Sequence, residues 1–308
     1  MPSWNDLLSE FDSLQTDQEK NDWLINSFDN SLAALSGLRS GRNIIIYGSA
    51  FLQKPTVPSF LLQITHEDIN GYMSVVNGMD CSKGLTLILH TPGGVTNSTE
   101  TVVSYLRSKF TDIEVIVPTF AMSAGTMISM SADKIIMGRQ SQLGPIDPQM
   151  PTGNITVSAV AIIDQFERAK QEISENKEIA HLWAPILPSL GPALLQEAQN
   201  AIDYSEKIVA EWLEKYMFSG KDDPKKEAVK VARHFSRGSD GHKKKSHGRR
   251  IDSTEARSQG LFIEQLENSQ DLQDAVLTSY HLMTIIFEKS PALKIIASQL
   301  NTRWIKNG

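Results

Sequence analysis

Apolar residues recur at helical spacing through residues 3–38: Trp4, Leu7, Leu8, Phe11 and Leu14, then Trp23, Leu24, Phe28, Leu32 and Leu35. That period predicts amphipathic helix, and GLRSGR supplies a stop signal at its end. The texture then changes. RNIIIYGSAF is a short β-branched run closed by glycine, the composition of a buried strand. THEDINGYMSVVNGM reads as a helix, with Thr65 as its cap and Glu67 and Asp68 in its first turn. Leu85–Leu89 predicts a strand, Ser98–Phe110 a helix, Ile113–Val117 a strand, Gly125–Asp133 a short apolar helix, and KIIMG a further strand. Short strands alternating with longer helices predict βαβ units and a mainly parallel, buried sheet.

After residue 154 the periodicity is helical over Val157–Asn176, Pro192–Phe218 and Lys225–His234. SRGSDGHKKKSHGRR is rich in glycine, serine and lysine and predicts a loop. IDSTEARSQG then predicts a short helix capped by Ser253 or Thr254 and closed by Gly260, and Leu272–Leu300 a last helical region. The expected organisation is a helical N-terminal extension over 1–41, an α/β domain over 42–265 and a helical C-terminal region over 266–308.

Composition narrows the function classes. With 40% hydrophobic and 21% charged residues among 308, the chain has enough apolar material for a substantial core. A net charge of −6 disfavours a nucleic-acid partner, which would need a clustered basic face. The one strong basic run, 242–250, falls in the expected loop. A single cysteine, Cys81, excludes an intrachain disulfide and a multi-thiolate metal site. No apolar run approaches the roughly 18 residues of a membrane span. The acidic start MPSWNDLLSEFDSL lacks the basic region of a secretory signal, so a cytoplasmic location is expected. There is no Walker-type loop and no GxGxxG, and no cofactor is expected.

Two stretches carry candidate chemistry. HTPGGVTNS (90–98) follows the strand LTLIL directly. Adjacent glycines at a strand end allow positive φ and let a ligand approach bare backbone N–H groups, as an oxyanion hole requires, although a tight turn alone also explains them. FAMSAGTM (120–127) puts Ser123 among small residues at a helix start. That residue can be a packing serine or cap, or a nucleophile exposed at the carboxyl edge of the sheet.

Taken together, TPGG, then AMSAGT one βαβ step later, then SQLGPIDPQ resemble the ClpP/crotonase superfamily of serine peptidases. Within it, the chain is most similar to the serine dehydrogenase proteinase branch related to signal peptide peptidase A. The resemblance spans about residues 42–265 and implies a ClpP/crotonase-like fold of repeated ββα-type units with a mainly parallel sheet. It also implies a serine peptidase with Ser123 as nucleophile and an oxyanion hole from Gly93 or Gly94 and Ala124. Peptide or unfolded-protein substrates, a homo-oligomer and a partner ATPase or adaptor follow from the same resemblance.

The base is less plain. ClpP-like members use Ser–His–Asp, yet GPIDPQ offers Asp147 where the histidine is expected, and the residue placed before EARSQGL is His247. The two partners are therefore read as exchanged, with His247 the base and Asp147 its orienting acid. Asp147 could instead hold a turn, His247 could be a loop residue, His242 could substitute for it, and His90 is expected to pack at its strand end. Signal-peptide-peptidase-like members use a Ser–Lys dyad, for which Lys177, or Lys170, has the right spacing; such a lysine must be desolvated to act near neutral pH. Rival readings are a crotonase-type acyl-CoA enzyme, which has an oxyanion hole without a serine nucleophile, and a non-catalytic scaffold.

Overall fold

The computed structural model describes residues 3–153, 155–186, 193–238 and 247–308. The N-terminal pattern folds into helices α1 (Trp4–Ser13) and α2 (Asp17–Leu38), each opened by a capping box, Ser3 with Asp6 and Thr16 with Glu19. The alternating region follows as β1 (Asn43–Ser49), α3 (Asp68–Val76), β2 (Leu85–His90), α4 (Thr96–Lys109), β3 (Ile113–Val117), β4 (Phe120–Ala121), α5 (Ala124–Met130), β5 (Lys134–Met137) and β6 (Gln142–Leu143). A hairpin of β7 (Gln149–Thr152) and β8 (Ile155–Ser158) leads into α6 (Ala159–Glu175) and the single-turn α7 (Ala180–Trp183). Then come α8 (Leu194–Lys215), α9 (Pro224–Arg237), α10 (Ser253–Ser258), β9 (Ile263–Gln265), α11 (Gln270–Lys289), β10 (Ala292–Ser298) and β11 (Arg303–Asn307).

The central sheet has seven strands in the order β11-β10-β1-β2-β3-β5-β9. From β1 to β9 every pairing is parallel; β10 and β11 add antiparallel. Alternate residues serve opposite faces, as strand geometry demands. Ile45, Tyr47, Leu87, Val115 and Ile135 join the core under α3, α4, α5, α8 and α9, while Ile44, Ile46, Ile88, Ile116 and Ile136 join the core under α1, α2 and α11. Burial on both faces explains the unbroken apolar runs of these strands. The fold is α/β, built on a mainly parallel central sheet.

Four expectations are corrected. The helical region expected over Leu272–Leu300 ends at Lys289; Pro291 cannot continue a helix, and residues 292–298 enter the sheet beside β1. Helix α6 starts at Ala159, because residues 155–158 pair as β8. Thr65 does not cap α3: its own N–H is donated to the Asp68 carboxylate, 2.9 Å away, and the helix begins at Asp68. Similarly, α10 is capped by the Asp252 side chain, which accepts from Thr254 and Glu255. Among the described residues no helix is long and apolar enough to cross a membrane.

Candidate active site

A small second layer at the carboxyl end of the sheet gathers the candidate residues. Thr91 N–H donates to Phe120 O at 2.9 Å, and Met122 N–H returns a bond to Thr91 O at 3.1 Å. Strand β4 pairs in parallel with β6, and Leu143 exchanges two bonds of 2.9 Å with Ile251. Thr91, Ala121, Leu143 and Ile251 thus lie side by side through successive pairings. Each is followed or preceded within four residues by a candidate: Gly93 and Gly94, Ser123, Asp147, and His247. Thr126 stitches the layer to α5, donating to Ala121 O and accepting from Gly144 N–H at 2.9 Å.

Ser123 stands at the start of α5 with φ +50° and ψ −112°. Gly125 N–H donates to Met122 O at 2.8 Å, which closes a turn with Ser123 in the position that usually takes glycine. A side chain held there bears strain of about 1–3 kcal/mol. The turn leaves the Ala124 N–H without an acceptor among the described residues. Gly93, at φ +107°, packs directly on this turn: a Cβ built on it would meet Met122 O and Ser123 Cβ, both at 2.8 Å.

The two glycines differ in what their N–H groups do. Gly93 donates to Thr91 Oγ1 at 3.1 Å, so its donor is used inside the turn. Gly94 N–H has no acceptor among the described residues. Its position is fixed by Ile64, whose N–H donates to Gly93 O at 2.8 Å and whose carbonyl accepts from Val95 N–H at 3.0 Å. A Cβ on Gly94 would lie 2.3–2.7 Å from the Ile64 backbone. Thr91 and Ile64 were not singled out from the sequence. The Thr91 hydroxyl is adjacent to the glycine motif, but nothing local marks Ile64.

Asp147, only 4% exposed, lies 2.9 Å from His247 Nδ1 through Oδ1, and its Oδ2 accepts from Gln149 Nε2 at 3.0 Å. A carboxylate accepting from Nδ1–H puts the free lone pair of a neutral imidazole on Nε2. His247 is half-buried. The pair expected from motif spacing is therefore in contact across a hundred residues of chain. His242 lies outside the described residues.

The lysines lack the setting of a base. Lys170, on α6, has a side chain 79% exposed beside Glu167, and Lys177 is exposed in the turn after α6. Water solvates both ammonium groups, the opposite of the desolvation a neutral lysine needs. His90 packs at the end of β2, fully buried against Phe51 and Tyr280, with Nδ1 2.9 Å from Thr119 Oγ1. Burial pulls its pKa down to about 3, so it is held neutral behind the turn.

Part of the chain is similar to known proteins. Residues 50–185 match the model of the ClpP-like SDH-type serine proteinases. The uncharacterized protein MJ0137 of Methanocaldococcus jannaschii is 40% identical over 139 residues, 45% of this chain and 45% of that protein. The uncharacterized protein MJ1495 of the same organism is 31% identical over 112 residues, 36% of this chain and 37% of that protein. The matched region thus spans less than half the length of these relatives. Among solved structures, the 1510-N membrane-bound stomatin-specific protease aligns with a TM-score of 0.37 at 16% identity, covering 65% of this chain and 74% of that one. ClpP1 from Listeria monocytogenes aligns at 0.37 and 13% identity, covering 77% and 98%. His247 lies beyond the family match, so its part rests on geometry alone. Over residues 50–185, which carry Gly93, Gly94, Ser123 and Asp147, the chain is similar to the ClpP-like SDH-type serine proteinases.

Proposed function

We propose that the chain is a serine peptidase whose nucleophile is Ser123, with His247 as base and Asp147 as the acid that orients it. The observation that carries this reading is the Asp147–His247 contact at 2.9 Å, in the same small layer as a serine at φ +50°. In this mechanism Ser123 Oγ attacks a peptide carbonyl carbon and its proton passes to His247 Nε2. Asp147 holds the tautomer and stabilises the imidazolium. The Gly94 and Ala124 N–H groups receive the oxyanion; one such donor is worth about 10²–10³ in kcat. Collapse of the tetrahedral intermediate breaks the C–N bond as His247 returns the proton to the leaving amine. Water, deprotonated by the same imidazole, then hydrolyses the acyl-enzyme. The reading requires His247 Nε2 to reach Ser123 Oγ when substrate is bound.

A dyad with Lys170 or Lys177 is disfavoured by their exposure. The test is intact mass after a fluorophosphonate probe, on wild type, Ser123→Ala, His247→Ala and Lys177→Ala. One adduct on wild type and Lys177→Ala, absent from the other two, is expected. A folded wild type that takes no adduct overturns the reading and leaves the crotonase-type and scaffold alternatives. Labelling lost in Lys177→Ala and kept in His247→Ala would install the dyad.

A further inference from the structure

The core between β1, β10 and α3 encloses an ion pair that the mechanism above does not use. Lys294 on β10 and Asp68 at the start of α3 are 1% and 0% exposed, and their charged atoms are in direct contact. A buried pair of this kind is weak support for stability, because desolvating two charges offsets most of their attraction. Its other bonds show where it acts. Lys294 Nζ also donates to Gln63 O at 3.1 Å and to Thr65 Oγ1 at 3.3 Å. Asp68 accepts from Thr65 N–H at 2.9 Å and from Tyr47 Oη–H at 3.1 Å. Residues 63 and 65 are thus gripped on both sides of Ile64. Ile64 in turn holds the glycine turn through its two backbone bonds to Gly93 and Val95, with Gly94 pressed against its backbone.

We propose that the Asp68–Lys294 pair is a positioning device for the oxyanion hole, fixing the Gly94 N–H through the 63–65 segment. This rests on the serine-peptidase reading. Neither charge touches substrate. Both ends of the linkage are rigid: Lys294 sits on a strand paired on both sides, and Asp68 opens a helix packed on the same sheet. Between them, the 63–65 segment belongs to no helix or strand, and it is held by these polar bonds to buried groups together with the burial of Ile64. Just before the segment, Ser49 Oγ donates to Leu62 O at 2.6 Å.

The test replaces both charges at once, Asp68→Asn/Lys294→Met, so that no buried charge is left unpaired. Thr65→Val, which removes only the Lys294–Thr65 bond, serves if the double variant does not fold. Two quantities are read on the full chain: hydrogen exchange at the Ile64 and Val95 amides, and kcat and KM separately on a peptide cleaved by wild type. Exchange at Ile64 and Val95 is expected to rise about tenfold or more while β3 amides stay protected, and kcat to fall roughly 10- to 100-fold at unchanged KM, as for a small misplacement of a catalytic group. Thr65→Val should move both in the same direction by less. A folded variant with unchanged exchange, or with faster exchange but wild-type kcat, overturns the proposal and leaves the peptidase reading standing. A wild type that neither cleaves nor takes the fluorophosphonate overturns the peptidase reading, and this proposal with it.

Discussion

Replacing Ser123 by glycine should inactivate the protein and yet leave it more stable than replacement by alanine. The backbone at Ser123, φ +50° and ψ −112°, is open to glycine and closed to most residues with a Cβ. Serine and alanine share the strain of that conformation, about 1–3 kcal/mol. Glycine relieves it but loses about 0.5–1 kcal/mol to the greater freedom of its unfolded chain. The net advantage of glycine over alanine is therefore about 1 kcal/mol, with little lost packing, because the Ser123 Cβ lies against bare Gly93 backbone. In a chain of this size that is a melting difference of about 1–3 °C. Scanning calorimetry on wild type, Ser123→Ala and Ser123→Gly, beside a peptide-cleavage assay, makes the comparison. Both variants should be inactive, and the glycine variant should melt above the alanine variant. If alanine melts as high or higher, the turn does not hold Ser123 at positive φ. The claim that a strained turn presents its hydroxyl is then wrong.

Other substitutions probe the rest of the site. Gly94→Ala would drive a Cβ to within 2.3–2.7 Å of the Ile64 backbone, which cannot step aside as a flexible side chain can; a loss of about 1–3 kcal/mol in urea melts, together with loss of turnover, is expected. Asp147→Asn keeps the shape of the side chain but not its charge, and should lower kcat by about 10³–10⁴ with KM little changed; a variant within tenfold of wild type would remove Asp147 from the mechanism. His90 predicts a pH effect on stability. Its folded-state pKa is depressed from 6.5 to about 3, so the folded chain keeps it neutral while the unfolded chain gains a proton below 6.5. Its contribution is thus complete above pH 6.5 and is lost as pH falls toward 3, by at most about 1.4 kcal/mol per unit. Urea melts between pH 7 and pH 5 should show a shallower decline for His90→Gln than for wild type, and equal slopes would contradict the assignment.

The parallel half of the sheet was legible because each strand is short, apolar on both faces and bounded by turn residues, while the helices between them keep their own period. The C-terminal end was misread for a physical reason. LKIIAS follows a long apolar helix, and a short apolar run looks alike in a helix and in a two-sided strand. What makes it a strand is pairing with Ile45 and Ile46, which no local window contains. Pro291 was the one local warning. The β7–β8 hairpin escaped because its residues are mostly half-exposed or exposed, so no apolar alternation marks it.

The site divides along the same line. Ser123 and the glycines were singled out as candidates through the TPGG and AMSAGT motifs and the resemblance they carry; locally, the adjacent glycines also suit backbones that approach too closely for a Cβ. The Asp147–His247 contact has no local signature, and only the flanking GPIDPQ and EARSQGL segments led to it. Ile64, Thr65 and Lys294 had neither kind of mark. Ile64 acts through its backbone, which any side chain would permit, and Thr65 was read as a helix cap because its use by Lys294 is a tertiary fact. Lys294 lay in a segment read as helix, where a lysine means a solvated face; in the strand it is buried, and burial is what forces it onto Asp68 and the 63–65 backbone. One misassigned strand therefore concealed a charged residue's entire role. In a sheet of this kind the strand least legible from sequence can still govern the geometry of a site built on its neighbours.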